Sequence, residues 1–458
     1  MTSSPTGSAA RIAVLVYNDC ANDSRVLKES GSLRDEGYEV RIIAVERREL
    51  GRMAELIPLR EGLQLERVPE FTSERLLPQL APLWRGLISH GTGAGDDTDA
   101  KGGIDHRARP RPRLDRARLQ GLRLLRGMGE RAFRTLALGT YWVNATRAGL
   151  RLSPDAVHAN DANTLVPAMA IRALSRRPVG IIYDSHELWR HRNVRSDRLL
   201  APLVEAIVES IGIRQADGVI TVSPSIAHWL RTTYNLDQMP TLVRNVPLAD
   251  GPPDRATGVL RERAGLSATD KVIAYGGRIT TARGIEETIA ALPHLSADVH
   301  FVLLGYGEAA ALAEVEELAA EHGVSERVHL VGAVAPDEVA HALADGDVAV
   351  VHVRPICLSY RYALPNKLFE SIRAGLPIAA ADLPDMRAVV EQLEVGEVFQ
   401  GSSTEDLAHA LREILEAPER YRRAARAAAP TLTWEQEIRG MRAMYRRVLA
   451  EVRAASGR

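Results

Sequence analysis

Only two cysteines, Cys20 and Cys357, occur among 458 residues. They lie far apart and offer neither metal-ligand spacing nor a disulfide framework, which points to a reducing compartment and to the cytoplasm as the expected location. Excess charge of either sign is also lacking. Lysine plus arginine number 58 against 59 acids, a net charge of -1, so duplex nucleic acid is not an expected partner and any anion site must be local. Long apolar runs are missing too: Val348–Val353 is followed at once by Arg354, well short of the ~20 residues a membrane helix needs. Met1–Ala10 has no basic segment leading into an apolar core and reads as a flexible tail rather than a secretory signal. Neither opening strand is followed by Gly-x-Gly-x-x-Gly, which disfavours a nicotinamide dehydrogenase.

What is present is an alternation of strand and helix. Arg11–Tyr17 is rich in Ile, Val and Leu and runs into a polar turn. Asp23 or Ser24 caps a helix carrying Val26, Leu27, Ser30 and Leu33 at helical spacing, and Gly37 stops it before a second strand, Glu39–Val45. Further runs at Ala156–His158, Val179–Tyr183 and Gly218–Val222 predict one parallel, doubly wound sheet. A second series follows at Val272–Tyr275, Val299–Leu304, Val328–Val331, Val348–Val353 and Pro377–Ala381. The expectation is an α/β chain of two Rossmann-like domains, residues 11–248 and 254–432, joined by a hinge at Pro247–Pro253. Residues 433–458 form a separate C-terminal helix.

Residues 89–112 are dominated by Gly, Asp, Arg and Pro and predict a disordered insertion. The arginine-rich segment 113–152 carries Leu119, Leu122, Leu125, Phe133, Leu136 and Trp142 between its charges. Two readings are open: an amphipathic helix packed on the first sheet, or a basic, apolar-faced surface in peripheral contact with anionic membrane.

Ligands bind beyond the carboxyl ends of strands in open parallel sheets, so the residues after each strand carry most information. Gly276-Gly277-Arg278 follows Val272–Tyr275, and Arg283-Gly284 opens the next helix. Glycines admit close backbone approach, helix amides favour negative charge, and guanidinium groups fork onto phosphate oxygens, so a diphosphate suits this place. The competing reading is a glycine turn with two solvated arginines. Leu364–Glu370 opens another helix with Pro365 in its first turn and Gly375 at its end. Glu370 suits ribose hydroxyls and Lys367 a phosphate, against the plainer reading of a carboxylate that complements the helix dipole. Asp184-Ser185-His186-Glu187 sets a histidine among acids at a strand end, with no second histidine at metal-ligand spacing. Gly305-Tyr306-Gly307 reads as a tight turn, and Asp345-Gly346-Asp347 as another.

Together, Asn22–Val26, Val157–Asp161, Tyr183–Glu187, Gly276–Arg278 with Arg283-Gly284, Leu304–Gly307, and Pro365–Glu370 with Ala374–Pro377 resemble the family-4 retaining glycosyltransferases of the GT-B fold, in a Pro-Asn-Lys-Leu-Phe-Glu variant. The resemblance implies that Arg278 and Arg283 grip a donor diphosphate, with Arg283 where lysine is more usual, and that His186 stands beside the donor sugar. It assigns Gly277, Gly305, Tyr362, Asn366, Lys367, Leu368 and Glu370 to the donor, with Glu370 on the ribose. Tyr362 stands where many members carry a glutamate close to the transferred sugar. Asn22, Asp23 and Arg25 fall on the acceptor side. The C-terminal helix, roughly Trp434–Ala454, is implied to cross back to the first domain.

The implied reaction moves a sugar from a nucleoside-diphosphate sugar to a hydroxyl of a sugar, lipid-linked or small-molecule acceptor, with retention of anomeric configuration. No cofactor and no metal ion are expected, because arginine and helix amides can stabilise the leaving diphosphate. The rivals are a nucleotide-sugar epimerase of the same fold and a non-catalytic nucleotide-sugar-binding subunit.

Overall fold

The computed structural model describes residues 9–21, 23–71, 113–193, 201–248 and 252–457, with the backbone alone for 113–132 and Ala201. The expected tail (but for Ala9 and Ala10), the insertion at 89–112, Asn22 and the middle of the expected hinge, 249–251, lie outside the described residues.

The first sheet has eight strands: β1 Arg11–Leu15, β2 Glu39–Val45, β3 Leu56–Arg60, β4 Leu63–Val68, β5 Ala156–Asn160, β6 Gly180–Ser185, β7 Gly218–Thr221 and β8 Thr241–Leu242. Their order is β3-β4-β2-β1-β5-β6-β7-β8. All neighbours are parallel except β3 and β4, so the expected all-parallel sheet carries one antiparallel edge hairpin. The second sheet is parallel throughout: β9 Lys271–Arg278, β10 Val299–Tyr306, β11 Val328–Leu330, β12 Val348–Val351, β13 Ile378–Ala381 and β14 Gly396–Phe399, in the order β11-β10-β9-β12-β13-β14.

Side chains alternate across each strand, and both faces of the first sheet are covered. Ala13 and Leu15 of β1 point to one face, where Tyr141, Ala145 and Ala148 of the helix Arg113–Leu152 and Leu165, Ala168 and Ile171 of the helix Leu165–Leu174 bury against them. From Phe133 onward the arginine-rich segment is therefore a helix packed on the sheet, with Arg134, Arg147 and Arg151 exposed. Ile12 and Val14 point to the other face, under the helix Ser24–Asp35 and the C-terminal helix Trp434–Ser456. Asp23 caps the first of these, its carboxylate accepting from the Val26 amide at 3.2 Å.

The C-terminal helix lies on the first domain's sheet. Val448 and Met444 occupy the space a Cβ would fill at Gly180 and Gly218. Glu437 accepts from the Arg244 amide at 3.0 Å, and the Trp434 indole donates to Ser32 at 2.9 Å. No helix among the described residues is long and apolar enough to cross a membrane.

Candidate active site

The carboxyl ends of both sheets open onto a cleft of ≈ 880 Å³ lined by both domains. Asp23, Arg25, His186 and Glu187 contribute from the first, and Arg278, Arg283, Tyr360 and Asn366 from the second.

On the second domain, β9 and β10 run further than their apolar segments suggest. Gly276-Gly277-Arg278 is not a turn after the strand: it is the end of β9, and Gly305-Tyr306 is the end of β10, paired Gly305 with Gly277 and Tyr306 with Arg278. The tight-turn reading of Gly305-Tyr306 is corrected accordingly. The cause is steric. A Cβ on Gly305 would sit 1.8 Å from the Gly277 carbonyl oxygen, and Gly277 has φ +126°, so only glycines let the two strands stay paired to the cleft edge. Arg278, 60% exposed, is thereby delivered to the rim, with a 3.3 Å contact to Glu308. Arg283 stands across a short loop, its guanidinium 5.3 Å from the Tyr360 ring centre. Gly284 follows at φ +84°, pressed so close to His352 that a Cβ would lie 2.2 Å from that side chain.

The helix Asn366–Arg373 begins at the cleft wall with no side chain capping it, so its positive end faces the opening. Lys367 does not reach the opening. Its buried ammonium donates to the carbonyls of His352 at 2.8 Å and Arg283 at 3.2 Å, which ties down the arginine loop from beneath. Burial, with Arg283 adding to it, brings its pKa down to about 7. Leu368 is fully buried in the core. Glu370 faces the first domain; burial raises its carboxyl to about 7, opposed by the Lys28 ammonium. Tyr362 is half-buried against first-domain apolar residues, and its carbonyl accepts from the Ser223 hydroxyl at 2.8 Å.

On the first domain the strand ends carry a buried charge network that sequence spacing did not disclose. Arg25 turns inward: it holds Asp184 through Nε at 3.1 Å and Nη2 at 2.9 Å, the Val243 carbonyl at 2.7 Å, and Glu29 at 3.0 Å. Its guanidinium is a structural counter-charge rather than a free contact on the acceptor side. Asp184 stays ionised well below the usual carboxylate range: Arg25 and His186 outweigh the cost of its burial. Burial raises Glu29 to about 8, with Arg25 pulling the other way. His158, also buried, lies 3.5 Å from Asp184 and 2.7 Å from the Tyr445 hydroxyl of the C-terminal helix.

His186 sits on top of this network. Its Nε2 is 3.1 Å from Asp184, its Nδ1 3.6 Å from Asp161, and its backbone amide donates to Asp161 at 3.1 Å. Burial favours the neutral ring, but the two carboxylates prevail and raise its pKa to about 10. The imidazolium is thus a third positive group at the cleft. Glu187, beside it, is raised by burial to about 7.

Glu29, Asp184 and His186 bring three potential ligand atoms within 4.8 Å of one another. Arg25 ion-pairs with both acids of this group. Asp345 and Asp347 lie away from the cleft. Asp345 accepts from the Leu260 and Arg261 amides at 3.2 and 3.0 Å, and Asp347 pairs with Arg255 and Arg261. The sequence pattern gives no site role to Glu29 or to Asn245, which lines the cleft, and His158 and Asp161 enter it only within the Val157–Asp161 motif. Asp161 did carry a signal, an acid directly after a strand, and it holds φ 60°, ψ 164°, a conformation costing on the order of 1–3 kcal/mol outside glycine.

Two α/β domains with sheets of 8 and 6 strands facing one cleft are the GT-B architecture. Residues 104–245 match the model of "Glycosyltransferase Family 4" and residues 258–430 that of "Glycosyl transferases group 1", so the chain carries both domains of a group 1 glycosyltransferase. Among relatives, alpha-D-kanosaminyltransferase of Streptomyces kanamyceticus is 26% identical over 302 residues, 63% of this chain and 75% of that protein. Glycogen synthase of Mycobacterium tuberculosis is 28% identical over 313 residues, 65% and 70% of the two chains. Among solved structures, sucrose-phosphate synthase from Thermosynechococcus elongatus superposes with TM-score 0.68 at 17% identity over 96% of this chain and all of that one. Anabaena HepE in complex with UDP and glucose gives 0.65 at 14% identity, over 95% and 99%.

Proposed function

We infer that this glycosyltransferase moves a sugar from a nucleoside-diphosphate sugar to an acceptor hydroxyl with retention of configuration and without a metal ion. The observation that carries this reading is the cleft itself: Arg278, Arg283, the imidazolium of His186 and the open end of the helix Asn366–Arg373 converge on it. Departure of a diphosphate concentrates negative charge on its terminal phosphate. A fixed positive field, strengthened when the cleft closes and sheds water, stabilises that charge more in the transition state than in the substrate. The kinship with HepE, which binds UDP and UDP-glucose, supports such a donor.

Retention implies that the acceptor attacks from the face the diphosphate leaves, with a phosphate oxygen taking its proton. No side chain is assigned as nucleophile. Both His186 nitrogens face carboxylates, so the ring must turn, or act through its charge alone, to serve a donor sugar. Glu370 remains the group proposed for the ribose, and Asp23 lies at the cleft on the acceptor side. A lipid-linked acceptor suits this reading as well as a soluble one.

The test is titration of the purified chain with nucleoside diphosphates and their sugars in chelator, followed by proton NMR of the glycoside formed. Binding without metal and a product with the donor's anomeric configuration are expected. Donor converted to a different sugar nucleotide without acceptor would instead make the chain an epimerase, and binding without turnover a non-catalytic subunit.

A further inference from the structure

The helix Ala201–Gln215 is apolar on two sides. Its inner side approaches the helix Leu165–Leu174 so closely that a Cβ on Gly212 would lie 2.7 Å from Leu165, and it buries Ile213. Its outer side exposes Leu203 at 60%, Val204 at 52%, Ile207 at 51% and Ile211 at 47%, positions spaced to form one stripe. A soluble helix presents polar residues to water, and one that is apolar all round belongs in a buried setting. Exposed aliphatic side chains occur on the neighbours too: Leu174 ends the helix Leu165–Leu174 at 64% exposure, and Val143 on the helix Arg113–Leu152 is 49% exposed. These three helices lie side by side on one face of the first sheet.

Among the described side chains, the fully exposed charges on these helices are positive. Arg134, Arg147, Arg176, Arg177 and Arg214 are exposed. Over residues 133–152, 165–177 and 201–215 the acids are Glu205, paired with Arg192, and Glu209, buried between the hydroxyls of Tyr183 and Tyr234. The whole chain has a net charge of -1, so this face is positive against the rest of the molecule.

We propose that the outer face of these three helices is a docking surface for an anionic lipid bilayer, with the aliphatic stripe entering the interface and the arginines meeting the headgroups. Charge decides among occupants. A second copy of the chain, related by a two-fold axis, would set these guanidinium groups against each other with no acid to answer them. A protein partner is the weaker fit, because the stripe is Leu, Ile and Val, whereas protein interfaces favour Tyr, Trp and Met around Arg. The inference places the main contact on the helix Ala201–Gln215, beyond the arginine-rich segment that the sequence singled out. It does not depend on the donor, the acceptor or turnover.

The experiment is co-sedimentation of the full chain with vesicles of phosphatidylcholine alone or mixed with phosphatidylglycerol, over a range of salt. Binding only to the anionic vesicles, weakening as salt shortens the screening length, is expected. Reversing two charges in Arg176→Glu/Arg177→Glu is expected to weaken it on the order of tenfold or more. Leu203→Ser/Ile207→Ser is expected to abolish it, with the chain still folded and nucleoside-diphosphate binding unchanged, since at least half of each residue already faces water. Equal binding to neutral vesicles, no binding to either, or variants that bind like the parent would overturn the proposal. So would a concentration-dependent dimer that disappears in Leu203→Ser/Ile207→Ser, which would make the face a self-association surface.

Discussion

At the scale of single residues, exposure and burial assign different duties to side chains of one charge. Arg278 is 60% exposed and its ion pair to Glu308 is between solvated groups, a kind of contact that adds little stability. Arg278→Ala is therefore expected to leave the melting temperature unchanged while lowering kcat by roughly two orders of magnitude, the usual effect of removing a donor aimed at developing charge. Wild-type turnover in this variant would place the diphosphate elsewhere. Arg25, by contrast, is buried against Asp184, and losing such a partner leaves a stranded charge. His186 links the two situations. Its folded pKa, about 10, lies above the ordinary 6.5, so the native state binds the proton more tightly than the unfolded chain. The stability this gives is complete below about pH 6.5 and fades as pH rises towards about 10. The gap in melting temperature between the parent and His186→Gln should therefore narrow with rising pH, and a constant gap would show that His186 is not held as an imidazolium.

At the scale of elements, packing decides what the chain alone could show. Strand interiors were legible because parallel strands covered on both faces read as apolar runs; Glu39–Val45 is found with the bounds its pattern gives. The hairpin β3–β4 was not legible, since Leu56–Arg60 is an edge strand with almost no burial to impose alternation. β8, with two residues, is too short to leave a pattern. Gly305-Tyr306-Gly307 reads as a turn, and Gly276-Gly277-Arg278 admits that reading beside a diphosphate site, because glycine is ambiguous between a turn and a close approach, and only the pairing of Gly305 with Gly277 separates them. In the site, the cleft positions of Arg278, Arg283, His186 and Asn366 followed from strand ends, whereas the Arg25–Asp184–Glu29–His158 network needed the three-dimensional meeting of four elements. One of these is the C-terminal helix, whose Tyr445 is fully buried with its hydroxyl on His158. Tyr445→Phe leaves the ring in place and strands a buried imidazole nitrogen, at about 1–3 kcal/mol. Urea unfolding should show the midpoint moving down at constant slope; an unmoved midpoint would mean that the hydroxyl contributes no net stability.

At the scale of the whole molecule, the two domains touch beside the cleft through a few polar contacts and through Leu358 and Tyr362, which pack against first-domain apolar residues. The Ser225 amide and hydroxyl both donate to Asp385, at 3.1 and 2.9 Å, the Ser223 hydroxyl donates to the Tyr362 carbonyl, and the Leu188 amide donates to Ser359 at 3.3 Å. Contacts of this size suit domains that separate and close rather than a permanent interface. The C-terminal helix ties the two domains together, since it lies on the first sheet while its chain continues from the second domain. Closure matters to the proposed chemistry because water in an open cleft competes with the acceptor for the sugar. Asp385→Ala removes both Ser225 bonds without touching any residue that lines the cleft. The variant should therefore bind nucleoside diphosphate at its second-domain groups, scatter X-rays with a larger radius of gyration than the parent in the presence of that ligand, and divert more donor to hydrolysis per transfer. If both the radius and the partition between hydrolysis and transfer match the parent, closure is set by the ligand's own bridge across the domains and the Ser225–Asp385 contact has no part in it.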